Sequence, residues 1–121
     1  MKYSSLIKKV RLMANAQEDV SHDALEVVVE NVAVHLNDTA RQSFAAKLPE
    51  ELHTAATMVP TASNIDEDII EQFMELEDVT EHQARTYLQA AWQTVCELFD
   101  HESLAYITSS LPHRLIAVLE H

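Results

Sequence analysis

Glycine is absent from all 121 residues, and that absence narrows the fold more than any motif that is present. Walker loops, dinucleotide-binding fingerprints and nucleophile elbows place glycine where the backbone takes a positive φ or approaches a ligand closely. None of the three can be built from this chain. Two-residue hairpins and open sheets also draw on glycine, so an all-α fold is expected before any periodicity is read. A length of 121 residues corresponds to one domain, and 47% hydrophobic with 23% charged residues is a globular composition. Such a chain buries roughly two-thirds of its unfolded surface, enough for a core that needs neither disulfides nor metal.

Eight Lys and Arg against twenty Asp and Glu give a formal net charge of -12. Phosphate backbones and anionic membranes are repelled by such a surface, so nucleic acid and membrane are not expected partners. The one cysteine, Cys96, has no CxxC context and reads as a small buried hydrophobe. A reducing compartment fits it. The segment Met1-Lys2-Tyr3-Ser4-Ser5-Leu6-Ile7 lacks the apolar run of a signal peptide, so a cytoplasmic location is expected. At the other end Leu119-Glu120-His121 reads as an expression-tag scar, and the domain is taken as residues 1–118.

An internal repeat organises the rest. Leu48-Pro49-x-x-Leu52 recurs as Leu111-Pro112-x-x-Leu115, 63 positions later. At that offset Leu25, Val28, Val29, Val32 and Leu36 fall on Leu88, Ala91, Trp92, Val95 and Phe99, which keeps the apolar phase. Asp19-Val20-Ser21 matches Asp78-Val79-Thr80 only at an offset of 59, implying a four-residue length difference near that turn. Leu25, Val28, Val32 and Leu36 step along one helical face, with Ser21 and Thr80 expected as N-caps and Asp38 as the next cap. The prolines Pro49 and Pro112 suit the first turn of a closing short helix. The expected helices cover about 3–15, 21–36, 39–47 and 49–57, then about 65–77, 80–99, 102–110 and 112–118. The fold class is therefore all-α, a pseudo-symmetric helical bundle of two tandem repeats (3–57 and 65–118) with about six to eight helices. Residues 58–64 form the linker, too short to separate independent domains.

A capping Ser or Thr, an Ala/Leu/Val-spaced helix, a polar turn, a further helix and then Leu-Pro-x-x-Leu, all occurring twice, resemble the bacterial family designated domain of unknown function 2267. The resemblance runs from about Leu6 to Val118. It implies a small all-α bacterial protein with no assigned activity and no catalytic residues. Thr54-Ala55-Ala56-Thr57 departs from the family pattern, where an aromatic-rich segment is expected.

Chemistry-bearing constellations are sparse. A di-metal bundle needs two Glu-x-x-His motifs, and only Glu50-Glu51-Leu52-His53 is present among seven histidines. At +63 the matching residues begin at His113, so no metal or cofactor is expected. His35 stands near a helix end, where an imidazole more often serves the helix dipole than a ligand. Ser109 and Ser110 precede Leu111-Pro112, where local caps are the ordinary role. The consecutive carboxylates Asp66, Glu67 and Asp68 point around a helix instead of converging. Trp92, Val95 and Phe99 lie in core phase, and a pocket between the repeats would sit there.

Charge is the uneven feature. Residues 1–17 carry Lys2, Lys8, Lys9 and Arg11 with no acid, whereas 65–84 carry Asp66, Glu67, Asp68, Glu71, Glu75, Glu77, Asp78 and Glu81 with no Lys or Arg. These are the first helices of the two repeats. Either both are solvated faces, or they meet within one molecule or between two. The leading expectation is a non-catalytic interaction or scaffold module, with Asp66, Glu67, Asp68, Glu71, Glu75, Lys8, Lys9 and Arg11 as its binding residues. Its partner is a basic protein surface or a second copy. The alternative is a regulator holding a small apolar ligand at the repeat interface, near Trp92, Val95 and Phe99. An enzyme using Glu50, His53 and the acidic run is the third reading.

Overall fold

The computed structural model describes residues 2–57 and 68–120, and the linker expected at 58–64 lies outside the described residues. Among the described residues the chain is wholly helical: α1 Tyr3–Ala14, α2 Glu18–Ala33, α3 Asp38–Ala46, a 3-10 turn at Glu50–Leu52 running into α4 His53–Thr57, then α5 Ile69–Glu77, α6 Glu81–Cys96, α7 His101–Ser109 and α8 His113–Glu120. The two sixteen-residue helices α2 and α6 share the most extensive helix–helix contact and form the centre. α1 and α5 each pack on both of them, and α8 packs on α6.

Their inner faces are complementary in volume. α2 supplies Leu25, Val28, Val29 and Val32, and α6 answers with Ala84, Leu88, Ala91 and Val95, all fully buried. The consecutive valines Val27, Val28 and Val29 have poor intrinsic helix propensity, so burial holds this helix rather than local preference. Small alanines on the facing helix let the two backbones approach.

Helix bounds recur at a spacing of 63 throughout. Both ends of α2 and of α3 are matched by α6 and α7 at that distance. Among the described residues the two with left-handed backbone, Asn15 (φ 52°) and Asp78 (φ 54°), are also 63 apart, and each ends the first helix of its half. In a chain without glycine, Asn and Asp are the residues that take this conformation most readily. The offset of 59 and the implied length difference are therefore wrong. At the spacing of 63 shown by the helix bounds, Asp78 falls on Asn15 and Thr80 on Gln17.

The N-caps show why the shorter offset misled. Thr80 does cap α6, in a full capping box: its side chain accepts from the Gln83 N–H, and the Gln83 side chain accepts from the Thr80 N–H. Ser21 caps nothing. α2 begins three residues earlier, and the buried Ser21 hydroxyl donates to the Gln17 carbonyl at 2.9 Å, a way of satisfying a serine inside a helix. Asn37, not Asp38, caps α3, and Asp100 caps α7 at the equivalent place. The backbone bond from Ser103 holds the Asp100 carboxyl below its usual range. Pro49 and Pro112 stand just before their helical turns, where their carbonyls accept the first bonds, from Leu52 and Leu115. Leu119, set aside as scar, is 1% exposed in the core, and Glu120 accepts from the Trp92 indole at 3.3 Å.

Candidate functional site

An open groove of about 550 Å3 lies between α3 and α7, the third helices of the two halves. Its floor is Phe44, Phe99 and Ile107, and its rim includes Thr39, Ser43, Lys47, Glu102, Ser103 and Tyr106. The walls are built from equivalent positions: Thr39 and Glu102, Ala40 and Ser103, Ser43 and Tyr106, Phe44 and Ile107 are each 63 apart. The Phe44 and Phe99 rings stack across the junction with centroids 5.3 Å apart and planes at 11°. Tyr106 is 54% exposed, so a large aromatic edge faces solvent at the groove mouth. An apolar floor with a few polar rim groups is the usual make-up of a small-ligand site of this volume. Its rim places two serine hydroxyls, a lysine and a glutamate around the apolar floor.

Of Trp92, Val95 and Phe99, Phe99 lies in the lining of this groove. Trp92 and Val95 are buried in the α6 core instead, beneath the surface. The groove's other residues escaped sequence analysis. Their signal was present in the spacing of 63, but which two helices would face each other was not.

The charged residues are distributed differently from the expected meeting of first helices. Lys9 pairs with Glu97 at the end of α6 (2.6 Å), while Lys8 and Arg11 are exposed on α1. Asp68, Glu71 and Glu75 are exposed on and before α5, with the Asp68 side chain capping that helix at the Ile70 N–H. Asp66 and Glu67 lie outside the described residues. None of the four ion pairs recorded among the described residues joins α1 to α5. The two helices do not neutralise each other within the molecule, because each is docked on the α2–α6 pair.

A second polar cluster sits on the first turns of α2. His22, Asp23 and Glu26 offer ligand atoms within 4.8 Å of one another, the group with metal-ligand spacing among the described residues. Both imidazole nitrogens are already engaged: Nδ1 with the Tyr3 hydroxyl and Nε2 with Glu26 at 3.1 Å. A cation would have to displace the Glu26 contact. Next to this cluster, burial pushes the Glu77 carboxyl up to about 7, reinforced by a hydrogen bond with Asp23 and the charges of Asp23 and Asp19. Its Oε1 is buried without a hydrogen-bond partner. Burial and the neighbouring Glu26 also raise Glu30.

Other candidates have structural roles. The His53 ring N–H donates to the Leu48 carbonyl at 2.9 Å, so this imidazole fixes a turn. Burial and the nearby Arg114 lower the His35 pKa, which favours a neutral ring over the dipole-compensating cation expected from its position. Burial, with Glu120 and Glu97 adding to it, raises the Cys96 thiol to about 12, and a thiol so protonated is a poor nucleophile.

No curated protein and no solved structure matches the chain. The family described as an uncharacterized conserved protein (DUF2267) matches over residues 3–118. With nearly its whole length matched, the chain belongs to the DUF2267 family.

Proposed function

We propose that the protein is a non-catalytic binding module whose α3–α7 groove takes a small apolar or aromatic ligand. The observation that carries this reading is the floor of Phe44, Phe99 and Ile107 beneath the exposed Tyr106. Lys47 on the rim supplies a cation for an acidic substituent, and Glu102 on the opposite wall supplies an anion. The spacing of 63 is taken as an internal duplication, which leaves a concavity where two equivalent helices diverge. The test uses 8-anilinonaphthalene-1-sulfonate, an aromatic anion. Saturable fluorescence and a rise in melting temperature are expected in the native chain, and loss of both in Ser43→Trp, which fills the groove from its rim. Absence of saturation, or an unchanged response in Ser43→Trp, overturns the reading.

A second reading has its own support. The acidic face of Asp68, Glu71 and Glu75 adjoins Leu76, which is 58% exposed, and a charged face with an apolar neighbour suits docking on a basic protein surface. In either case the chain is read as a cytoplasmic bacterial protein. The net charge of -12 argues against nucleic acid and anionic membranes, and no helix of the described residues is long and apolar enough to cross a membrane.

A further inference from the structure

α1 and α5 are counterparts, and their outward faces carry opposite charge. On α1, Lys8, Arg11 and Leu12 are exposed at i, i+3 and i+4, one face of a helix. At the N-cap of α5 and along it, Asp68, Glu71 and Glu75 are exposed at i, i+3 and i+7. Lys8 and Glu71 occupy equivalent positions, 63 apart. Each charged face adjoins an exposed leucine: Leu12 at 75% and Leu76 at 58%. Lys8, Arg11, Glu71 and Glu75 enter none of the ion pairs recorded among the described residues. One molecule therefore presents two complementary helix faces that no recorded ion pair among the described residues joins.

We propose that the α1 face of one copy docks on the α5 face of a second copy, a head-to-tail contact in which Lys8 and Arg11 meet Glu71 and Glu75 while Leu12 and Leu76 are covered. The proposal rests on the reading of α5 as an interaction face and names its partner. The contact is heterologous, so each copy keeps one free face of each kind, and association continues into chains or closes into a ring. Two short helix faces fall in the weak class of interface, below about 1,200 Å2 in total. The net charge of -12 on every copy opposes close approach, so the interaction is local and shows at high protein concentration.

Charge reversal supplies the test. Sedimentation equilibrium on the full chain, up to millimolar concentration, should show a mass that rises with concentration. Lys8→Glu/Arg11→Glu makes both faces acidic, and Glu71→Lys/Glu75→Lys makes both basic. Each double variant alone should stay monomeric with unchanged circular dichroism, and an equimolar mixture of the two should associate again. A monomeric native chain together with a non-associating mixture overturns the proposal. So does native association that survives either reversal, because it then uses another surface. A hexalysine probe, followed by amide shifts at Glu71 and Glu75, reads the acidic face alone. Probe binding by a strictly monomeric chain would overturn self-association while leaving the acidic face as an interaction site.

Discussion

The N-terminal stretches of α2 and α6 begin 63 residues apart and differ in how their polar groups are partnered. On α6 the polar groups find complementary partners nearby. Thr80 and Gln83 close a capping box, Arg85 lies 3.8 Å from Glu81, the Thr86 hydroxyl donates to the His82 carbonyl, and the Gln89 amide donates to the Val118 carbonyl. On α2 the matching stretch starts at Gln17, which makes no side-chain cap, and runs through Asp19, Asp23 and Glu26, with Glu77 from α5 pressed against it. The α6 start is closed by a side-chain capping box; the α2 start has no side-chain cap, keeps the Ser21–Gln17 and His22–Glu26 contacts, and gathers carboxylates against Glu77. A bundle backbone tolerates both because the central contact between α2 and α6 does not depend on how either helix begins.

The largest effects should ignore this difference. Leu25 and Leu88 are equivalent and fully buried, so Leu25→Ala and Leu88→Ala should each destabilise by about 2–5 kcal/mol. Each should shift a single unfolding transition, because both side chains belong to one core. Two transitions in calorimetry, with only one displaced by each variant, would show that the halves melt separately.

A smaller effect should expose the contrast. Glu77 holds its proton up to about 7 when folded, against 4.5 for an ordinary glutamate. A raised folded pKa makes acid favour the native state: the stabilisation is complete below about 4.5 and is lost as pH rises through about 7. Melting temperature should therefore fall between pH 5 and pH 8. Glu77→Gln, which keeps the shape and can donate to Asp23, should flatten that slope and melt above the native chain at pH 8. An unchanged slope in Glu77→Gln would show that another group sets the pH dependence.

The caps offer a comparable test at lower energy. Thr80→Ala should remove about 1 kcal/mol by breaking the box, whereas Gln17→Ala should change little because no side-chain cap is lost. Equal losses in urea titrations would contradict the assigned asymmetry.

How much of this was legible follows the range of each interaction. Thr80 is expected as an N-cap from its place before the helix, and it is one; the partner that closes its box, Gln83, comes from the structure. Ser21 is expected as a cap for the same reason, but it is followed three residues on by Ala24 and lies on the buried face of α2, where a serine satisfies itself on the carbonyl four residues back. The core positions Leu25, Val28, Val32, Leu88 and Val95 were readable because helical periodicity is also local. Lys9 and Glu97 are 88 residues apart, and nothing in the sequence around either marks the other. The groove belongs to the same class: Phe99 stands out for its phase, yet its stacking on Phe44 arises only when α3 is brought against the turn between α6 and α7. Glu77 looked like one carboxylate in an acidic run, and only the packing of α5 on α2 gives it a proton to hold.

The smallest predicted effect returns to the missing glycine. Asn15 and Asp78 both sit in the left-handed region at the ends of α1 and α5, with φ of 52° and 54°. A left-handed backbone is strained for any residue with a Cβ, by about 1–2 kcal/mol in general and less for Asn and Asp. Asn15→Gly and Asp78→Gly should therefore each leave the fold intact and stabilise it by up to about 1 kcal/mol. Asp78 has the additional drawback of a carboxylate at a helix C-terminus, the negative end of the dipole, so Asp78→Gly should gain more than Asn15→Gly at low salt. The difference between the two gains should shrink as salt is added, because only the charge contribution is screened. Equal gains at low salt would mean that backbone strain alone separates these positions from glycine.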